Sequence, residues 1–485
     1  MSQVQTLLGV GAVALVVDLV IRLVALVVIP RNRLPTAAMA WLLAIFFIPV
    51  LGVLLYLVIG SPGLPKGRRR KQVEMNRRIA ELSDEHSPAA LDGAPEWLES
   101  IVTLNHNLTA MPLVGGNTAE LIDDYTGSLA AMSAAVDSAT SWVHVEFYIL
   151  SLDEATSGFF DALERAVTRD VTVRVLLDHW ASSHCRDYDA TIARLTSMGA
   201  QWHLMLPVQP LRGRYQRPDL RNHRKLLVVD GRVGFVGSQN IIDRTYNKKK
   251  NLARGLLWQE LMCRVDGPVV TSMDLVFATD WYIESGEDLT SATPGSCAPV
   301  CGDLVCQVVP SGPGFAVENN LQLFLSLLYS ARQQVIITSP YFVPEDSILR
   351  GLLAATVRGV HVDLFVSEIG DQGLVWHAQR SYYQTLLDGG VHIYCYPAPF
   401  ILHAKHLSVD DELALIGSSN MDIRSFGLNS EISLMVHSST FVTQMRAVER
   451  GYRDISRKLT PEDWRREPMT ATVLDGLARL TSALQ

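Results

Sequence analysis

The chain reads HRKLLVVDG at residues 223–231 and GSQN at 237–240, and it repeats that spacing with HAKHLSVDD at 403–411 and GSSN at 417–420. The gaps between the His, Lys, Asp and Gly-Ser positions are identical in the two copies. The copies lie a whole domain's length apart, which is too far for a small repeat. Such self-similarity indicates two halves of one ancestral fold, each carrying half of a site.

Each copy has the pattern of a β-hairpin. In the first copy, apolar runs that contain β-branched residues, at 226–229 and 233–237, flank a turn at Asp230. His223 and Lys225 are two positions apart, so on a strand they would point to one face.

The polar side chains of the motif suit a phosphate group. An imidazole can attack phosphorus or donate a proton, while ammonium, hydroxyl and amide groups stabilise charge on the oxygens. Two hairpins that contain histidine by chance would explain one copy, but hardly two with equal gaps. The predicted site residues are His223, Lys225, Asp230, Ser238, Asn240, His403, Lys405, Asp410, Ser418 and Asn420.

The repeated phrase resembles the paired His-Lys-Asp motifs of the phospholipase D superfamily. The flanking stretches SPYFVP at 339–344, RSYY at 380–383 and NMDIRSF at 420–426 are similar to those of bacterial cardiolipin synthases. The resemblance covers essentially the whole chain. It implies a membrane-bound phosphatidyltransferase that makes cardiolipin and glycerol from two phosphatidylglycerol molecules through a phosphatidyl-histidine, with no metal and no cofactor.

The resemblance also implies roles within the motif. His223 would be the nucleophile, and His403 the general acid and then the general base. The lysines, asparagines and serines would stabilise the phosphoryl oxygens. Asp230 and Asp410, although part of the catalytic motif, would be structural, and their turn positions agree with that role.

Glu260 and Glu431 resemble the family's acidic residue that orients a histidine, either of the same motif or of the opposite one. At the first of these positions the family usually has Asp in a Trp-Arg-Asp context, whereas this chain has Trp258-Gln259-Glu260. A solvent-facing strand glutamate is therefore the alternative for Glu260.

Two other functions are weighed against the synthase. A phospholipase D hydrolase or headgroup-exchange enzyme would use water or another alcohol in place of the second lipid. A catalytically silent membrane scaffold would keep only the fold, and the completeness of both motifs argues against it.

Composition gives the broad class of the protein. The chain has 485 residues, enough for two or three domains, and 48% of them are apolar, which indicates a membrane portion. Its net charge is −8, so anionic lipid would have to be attracted by local basic clusters. The six cysteines form no disulfide framework. Cys297, Cys301 and Cys306 lack a fourth nearby ligand, so we predict free thiols and no metal site.

The N-terminal part predicts a transmembrane hairpin. Residues 4–29 and 36–65 are apolar and each exceeds the ~20 residues needed to cross a bilayer. A signal peptide is disfavoured because a basic start and a cleavage site are missing. The basic cluster at 66–71 outweighs the two arginines of the turn at 30–33, which places the remainder of the chain in the cytoplasm of a multi-pass protein of the cell membrane. The cluster could also hold anionic headgroups.

Two further features concern the predicted spans. Asp18 and Arg22, four apart on a helix, predict an ion pair, and a contact within a homodimer is the alternative. Pro49 and Gly52 predict a kink in the second span.

Beyond the hairpin, strands and helices alternate, which predicts an α/β fold of two pseudo-symmetric lobes, each a mixed sheet flanked by helices. We predict strands at 142–150, 171–177, 335–343, 360–366 and 391–396, with helices at 156–169, 188–198, 346–358 and 374–388. The predicted domains are the hairpin at 1–65, a basic segment and helical connector at 66–108, and lobes at 109–290 and 303–485.

Basic residues crowd the first motif, and they predict a rim for an anionic lipid such as phosphatidylglycerol. Nucleic acid would also suit such a rim, but the acidic net charge and the membrane hairpin argue against it. The rim residues are Arg212, Arg214, Arg217, Arg221, Arg224, Lys248, Lys249 and Lys250.

Overall fold

The computed structural model describes residues 2–32, 35–60, 64–84, 95–210, 214–290 and 298–480. Arg33 of the predicted turn, Arg212 of the predicted rim and Cys297 lie outside the described residues, as do parts of the connector and of the linker between the lobes. The chain divides into two compact units: residues 1–64 with 217–219, and the remaining residues from 65 onward.

The N-terminal unit is helical. It consists of α1 (Ser2–Val28), a 3₁₀ turn (Ile29–Asn32), α2 (Pro35–Phe47) and α3 (Pro49–Ile59). The break before Pro49 confirms the predicted kink, because proline is tolerated at the first position of a helix but not inside one. Among the described residues, none of the helices combines the length and the apolar character that a membrane crossing requires.

Asp18 and Arg22 form the predicted ion pair, with 2.8 Å between the carboxylate and the guanidinium Nε. The pair lies within one helix.

The larger unit begins with two helices and the first motif-bearing half. Its elements are α4 (Lys66–Asp84), α5 (Glu96–Thr109), β1 (Leu113–Ile122), α6 (Tyr125–Asp137), β2 (Trp142–Phe147), α7 (Ser157–Thr168), β3 (Thr172–Asp178), α8 (His179–Ser183), α9 (Tyr188–Ser197), β4 (Gln201–Met205), β5 (Val208–Gln209), β6 (Arg214–Tyr215), β7 (Arg221–Asn222), β8 (Lys225–Val229), β9 (Val233–Gly237), α10 (Lys249–Arg254), β10 (Leu257–Gln259), β11 (Met262–Asp266) and α11 (Val269–Ser285).

The second half follows the same order of elements. It contains β12 (Leu304–Ser311), α12 (Asn319–Ser330), β13 (Gln334–Thr338), β14 (Phe342–Val343), α13 (Asp346–Val357), β15 (His361–Ser367), α14 (Gly373–Arg380), α15 (Tyr383–Asp388), β16 (His392–Tyr396), β17 (Phe400–Leu402), β18 (His406–Val409), β19 (Leu413–Gly417), β20 (Met421–Asp422), α16 (Ile423–Gly427), β21 (Asn429–His437), α17 (Ser439–Ile455), β22 (Arg457–Leu459), α18 (Pro461–Arg465) and α19 (Met469–Arg479).

One mixed sheet runs through both halves. From β1 outward the first half is ordered β1-β11-β9-β8-β2-β3-β4, and from β12 outward the second half is ordered β12-β21-β19-β18-β13-β15-β16. The two series are equivalent strand for strand, and antiparallel pairing of β1 with β12 joins them. Most side chains of the parallel strands are buried, including the carboxylates of Glu146 in β2 and Asp363 in β15. The α/β alternation read from the sequence is therefore confirmed.

Two predicted elements need correction. The single helix expected at 374–388 is two helices, α14 and α15, interrupted at Ser381 and Tyr382. The strand expected at 335–343 is also split, into β13 and β14. Tyr382 and Tyr383, at the break between α14 and α15, are both buried in the core. The sequence pattern of residues 374–388 is that of a continuous helix and gives no sign of this break. The five described cysteines are free thiols, and Cys306 lies in strand β12.

The basic cluster after the N-terminal unit is partly used inside the protein. On α4, Arg68 forms an ion pair with Glu284 of α11. Lys71 donates to the carbonyl oxygens of Tyr282 and Ile283, at 3.1 and 3.0 Å, where a cation complements the negative end of the α11 dipole. The other three basic residues of the cluster, Lys66, Arg69 and Arg70, are exposed.

The two motif aspartates tie their hairpins to the neighbouring strand. Asp410 accepts hydrogen bonds from the backbone amides of Arg332, Gln333 and Gln334, at 3.0, 2.7 and 2.8 Å, just where β13 begins. Asp230 does the same at the start of β2. Both aspartates have a φ of 50°, a left-handed conformation that Asp and Asn tolerate better than most residues.

We expect Asp410→Ala to lower the free energy of unfolding by about 2–4 kcal/mol, because three backbone amides lose their acceptor and alanine is strained at this φ. Asp410→Asn is the matched control: it tolerates the same φ and keeps one acceptor oxygen, so it should lose less. Thermal unfolding of both variants checks this. A melting temperature for Asp410→Ala equal to that of the unmodified protein would contradict the structural role.

Candidate active site

Each motif histidine is held by a strand of the other half. Strand β7, just before His223, pairs in parallel with β21 of the second half. Strand β17, just before His403, pairs in parallel with β10 of the first half. The backbone amide of His223 donates to the carbonyl of Ser430 at 2.8 Å, and that of His403 donates to the carbonyl of Gln259 at 2.7 Å. The two halves therefore exchange short strands at the site.

These strand pairings also place a glutamate beside each imidazole. Nδ1 of His223 lies 2.9 and 3.0 Å from the carboxylate oxygens of Glu431, and Nδ1 of His403 lies 2.8 and 2.9 Å from those of Glu260. Both glutamates are buried, so the solvent-facing alternative for Glu260 is wrong. Each glutamate serves the opposite histidine. A carboxylate that accepts from Nδ1–H leaves the lone pair of Nε2 available for chemistry.

Burial sets the charge of the imidazoles. Burial, the larger cause, and repulsion by the nearby lysines together lower the pKa of His223 and of His403 to about 4, outweighing the glutamate partners. The histidines in turn hold the pKa of Glu431 and Glu260 below the usual value, against the effect of burial. At neutral pH both imidazoles are neutral and both glutamates are ionised.

The two motif lysines lie fully inside the protein. Nζ of Lys225 donates to the carbonyl of His223 at 2.5 Å, and Nζ of Lys405 donates to that of His403 at 2.6 Å. Burial, and then repulsion by Lys405, lower the pKa of Lys225 to about 7. Burial lowers the pKa of Lys405 to about 8. Each ammonium also lowers the pKa of the histidine of the other half, because two positive charges repel.

The serines take a position that differs from the prediction. The hydroxyl of Ser238 donates to Glu260 at 2.6 Å, and the hydroxyl of Ser418 donates to Glu431 at 2.5 Å. Both serines are buried behind the histidines, outside the set of described residues that line the cavity. A Cβ at Gly417 would lie 2.2 Å from a backbone oxygen of the adjacent strand, so the glycine lets the serine approach its glutamate.

The asparagines reach the cavity. The amide of Asn240 accepts from the backbone of Ile149 at 3.1 Å and donates to the hydroxyl of Tyr246 at 2.9 Å. The amide oxygen of Asn420 has no hydrogen-bond partner among the described residues. Because that oxygen is an acceptor, it can receive a hydrogen bond from a ligand hydroxyl, whereas a phosphoryl oxygen would need the amide N–H.

Both histidines and both asparagines line one cavity of about 980 Å³. Its wall includes Tyr148, Tyr246 and Tyr341, which the motif spacing did not indicate. Burial raises the pKa of all three phenols, so they are neutral groups that can form hydrogen bonds. Both motifs therefore contribute side chains to the wall of one cavity.

The predicted basic rim divides in two. Arg221, Lys248 and Lys249 line the cavity, and Arg221 is anchored by Asp178 at 3.1 Å. Arg224 does not belong to the rim, since it is buried beside Asp280 and donates to the backbone of Glu431. Alternation of side chains along the chain turns it away from its neighbour His223.

Two carboxyl groups in the cavity wall also escaped the sequence analysis. Burial raises the pKa of Asp371, which accepts from the hydroxyl of Tyr341 at 3.0 Å, and raises that of Asp422 to about 6. With two lysines behind the imidazoles and weakened acids in the wall, the cavity suits an anion such as a phosphodiester better than a metal cation.

The chain is similar to characterised families along most of its length. A family model described as "Cardiolipin synthase, PLD-like domain" matches residues 132–281 and 324–449, and one described as "Phospholipase_D-nuclease N-terminal" matches 14–61. Cardiolipin synthase A of Pectobacterium carotovorum is 32% identical over 470 residues, covering 95% of both chains. The same enzyme of Edwardsiella ictaluri is 32% identical over 478 residues, covering 96% of both.

Among solved structures, the phosphatidylserine synthase of Haemophilus influenzae matches with a TM-score of 0.60 at 13% identity, covering 78% of this chain and 98% of that one. At that identity the likeness concerns the fold alone. The full-length similarity and the family model carry the assignment further: the chain belongs to the bacterial cardiolipin synthase family of the phospholipase D superfamily.

Proposed function

We propose that the protein transfers a phosphatidyl group from one phosphatidylglycerol molecule to a second, making cardiolipin and releasing glycerol. The observation that carries the proposal is the pair of crossed His–Glu contacts, which open both Nε2 atoms to one cavity backed by two buried lysines. The relatives named above as cardiolipin synthases support the choice of substrate.

In the first step, Nε2 of His223 attacks the phosphorus of the donor lipid. The bond from phosphorus to the glycerol oxygen breaks, and that oxygen takes a proton from Nε2 of His403. The bound phosphodiester anion raises the pKa of the neighbouring imidazoles, so one of them takes up the proton that the leaving group needs.

In the second step, Nε2 of His403 takes a proton from the headgroup hydroxyl of the acceptor lipid. The oxygen attacks phosphorus and the phosphorus–nitrogen bond to His223 breaks, which restores the enzyme. One phosphodiester replaces another, so the exchange requires no nucleotide. Asn240 and Asn420, in the cavity wall, stabilise the phosphoryl oxygens in both steps, and the charges of Lys225 and Lys405 act on them from behind the imidazoles.

The serines and glutamates act as positioning residues. Ser238 holds Glu260 and Ser418 holds Glu431, and each glutamate fixes the tautomer and the ring orientation of the histidine across the junction. Asp230 and Asp410 stay outside the chemistry, because their carboxylates are occupied at the hairpin turns.

The mouth of the cavity supports a lipid substrate. Trp180 and Leu374 line the cavity and are about half exposed, and Lys248 and Lys249 line the same cavity. Apolar side chains beside cations match the boundary between acyl chains and an anionic headgroup. The acidic net charge of −8 argues against nucleic acid as the ligand.

We further propose that the N-terminal helices hold the enzyme in the cell membrane with the catalytic halves on the cytoplasmic side. The support is the apolar sequence of residues 4–29 and 36–65 and the basic cluster that follows them. Exposed Lys66, Arg69 and Arg70 would lie near anionic headgroups.

We expect the purified protein to convert labelled phosphatidylglycerol into cardiolipin and glycerol. His223→Ala should form no covalent lipid adduct. His403→Ala should form one slowly at residue 223 and retain it, since no base remains to activate the acceptor; turnover should fall by roughly 10²–10⁴. Lipid analysis and mass spectrometry of the digested protein measure both. Phosphatidic acid as the main product would indicate a hydrolase, and an adduct at residue 403 would reverse the two roles.

Glutamate variants give the matched comparison for this experiment. Glu431→Gln should impair adduct formation, and Glu260→Gln should impair discharge of the adduct, because each acts through the opposite histidine. Glu449→Gln is the control: Glu449, on α17, is equally buried but accepts from Ser408 of β18 and from Arg446, so product formation should persist.

The pH dependence should show an acidic optimum for kcat/KM. The reaction needs one imidazole protonated, yet both have a pKa of about 4 in the empty site, so kcat/KM should fall about tenfold per pH unit above about pH 5. A steeper fall follows above about pH 7, as Lys225 and then Lys405 lose their charge. Release of glycerol from short-chain lipid in detergent measures this; kcat/KM rising from pH 5 to 7 would contradict it.

Removing residues 1–64 should separate lipid delivery from chemistry. Activity on phosphatidylglycerol in vesicles should fall more than about tenfold, because the anchor raises the local concentration of lipid at the site. Activity on short-chain lipid in detergent should persist. Loss of both activities in a truncated protein with an unchanged melting temperature would argue that the N-terminal helices take part in the chemistry.

A further inference from the structure

A second cluster of ionisable groups lies on the sheet of the second half, outside the catalytic cavity. His361 and Asp363 are two apart on β15 and therefore share one face of the sheet. His392, on the neighbouring strand β16, is paired in register with Asp363. Asp363 is fully buried, while the two histidines are partly exposed at the same spot.

Three atoms of this cluster form a nearly equilateral triangle. Nε2 of His361 lies 2.9 Å from Oδ1 of Asp363, and Nδ1 of His392 lies 3.2 Å from the same oxygen. The two ring nitrogens are 3.2 Å apart. Zinc bonds of ~2.0–2.1 Å in a tetrahedron place neighbouring ligand atoms about 3.3 Å apart. The triangle therefore already has nearly the dimensions of three ligands around one ion.

Hydrogen bonding alone does not satisfy this triangle. With the carboxylate ionised, each ring nitrogen offers at most one hydrogen, so at most two of the three contacts can be hydrogen bonds. If both nitrogens donate to Asp363, two N–H groups face one another at 3.2 Å. A cation at the centre would instead accept a lone pair from each of the three atoms.

The surroundings fit a metal of the zinc type. The other oxygen of Asp363 accepts from Arg453 of α17, which leaves Oδ1 for an ion and fixes the carboxylate. Lys458 of β22 also lies near His392 and, like Arg453, disfavours cations in general. One carboxylate against two cations would not hold calcium or magnesium, which need several oxygen ligands, whereas two imidazoles favour zinc and its transition-metal neighbours.

We propose that His361, Asp363 and His392 form a binding site for a zinc-like divalent cation, with the fourth position open to water. The site is separate from phosphatidyl transfer: its three residues lie on β15 and β16, apart from the described residues that line the catalytic cavity. Bound metal would link the two strands beside the edge strand β22. The sequence did not point to this site because the helices α14 and α15 separate His361 and Asp363 on β15 from His392 on β16.

The test is zinc binding to the full-length, untagged protein in detergent. The protein is stripped with a chelator, incubated with zinc chloride and gel-filtered, and its zinc is counted by elemental mass spectrometry. We expect one zinc per chain, falling below about a tenth of an equivalent in His361→Ala and in His392→Ala. Cobalt in place of zinc should give the visible absorption of a tetrahedral site only when both histidines are present.

His223→Ala is the matched control, since it removes an imidazole from the catalytic cavity and leaves the cluster intact. It should keep its zinc. The proposal is overturned if the unmodified protein retains no zinc, if His361→Ala and His392→Ala bind as much as it does, or if zinc is lost in His223→Ala while His392→Ala retains it. Melting temperatures of the metal-free variants establish that each is folded.

Discussion

The hydrogen bond between each catalytic imidazole and a buried glutamate of the opposite half is the contact on which the site depends. An ionised carboxylate without solvent needs a donor, and a neutral imidazole needs a fixed tautomer; each half supplies what the other lacks. The exchanged strands β7 and β17 bring these groups together, and antiparallel pairing of β1 with β12 holds the halves in one sheet. In neither half alone does the catalytic histidine have its glutamate partner.

The electrostatics of the empty cavity follow from the same burial. Two lysines share a solvent-poor region with two imidazoles, so these four groups lose their protons more readily than in water. The site is thus short of negative charge, and a phosphodiester is the ion that relieves this. Binding and activation are then one event: the anion that neutralises the lysines also raises the proton affinity of the imidazoles.

The repeated motif divides its residues between two tasks. His and Asn face the cavity, whereas Asp closes the hairpin and Ser holds a glutamate. These four residue types of the motif are polar and keep a fixed spacing, but only His and Asn reach the cavity. Asp and Ser are needed at their positions because they hold the hairpin and the glutamate in place. The serines show the limit of the spacing argument, because it placed them at the phosphate and the structure places them behind the histidines.

The sequence by itself determined the family, the alternation of strands and helices, the two motif hairpins and the structural character of the aspartates, since each depends on local pattern or on residue identity at a turn. Only the tertiary structure decided which glutamate meets which histidine, which face of the hairpin carries Arg224, and that His361, Asp363 and His392 meet. Those contacts join residues far apart in the chain through strand pairing and crossover, and no local periodicity encodes which distant backbone a strand will meet.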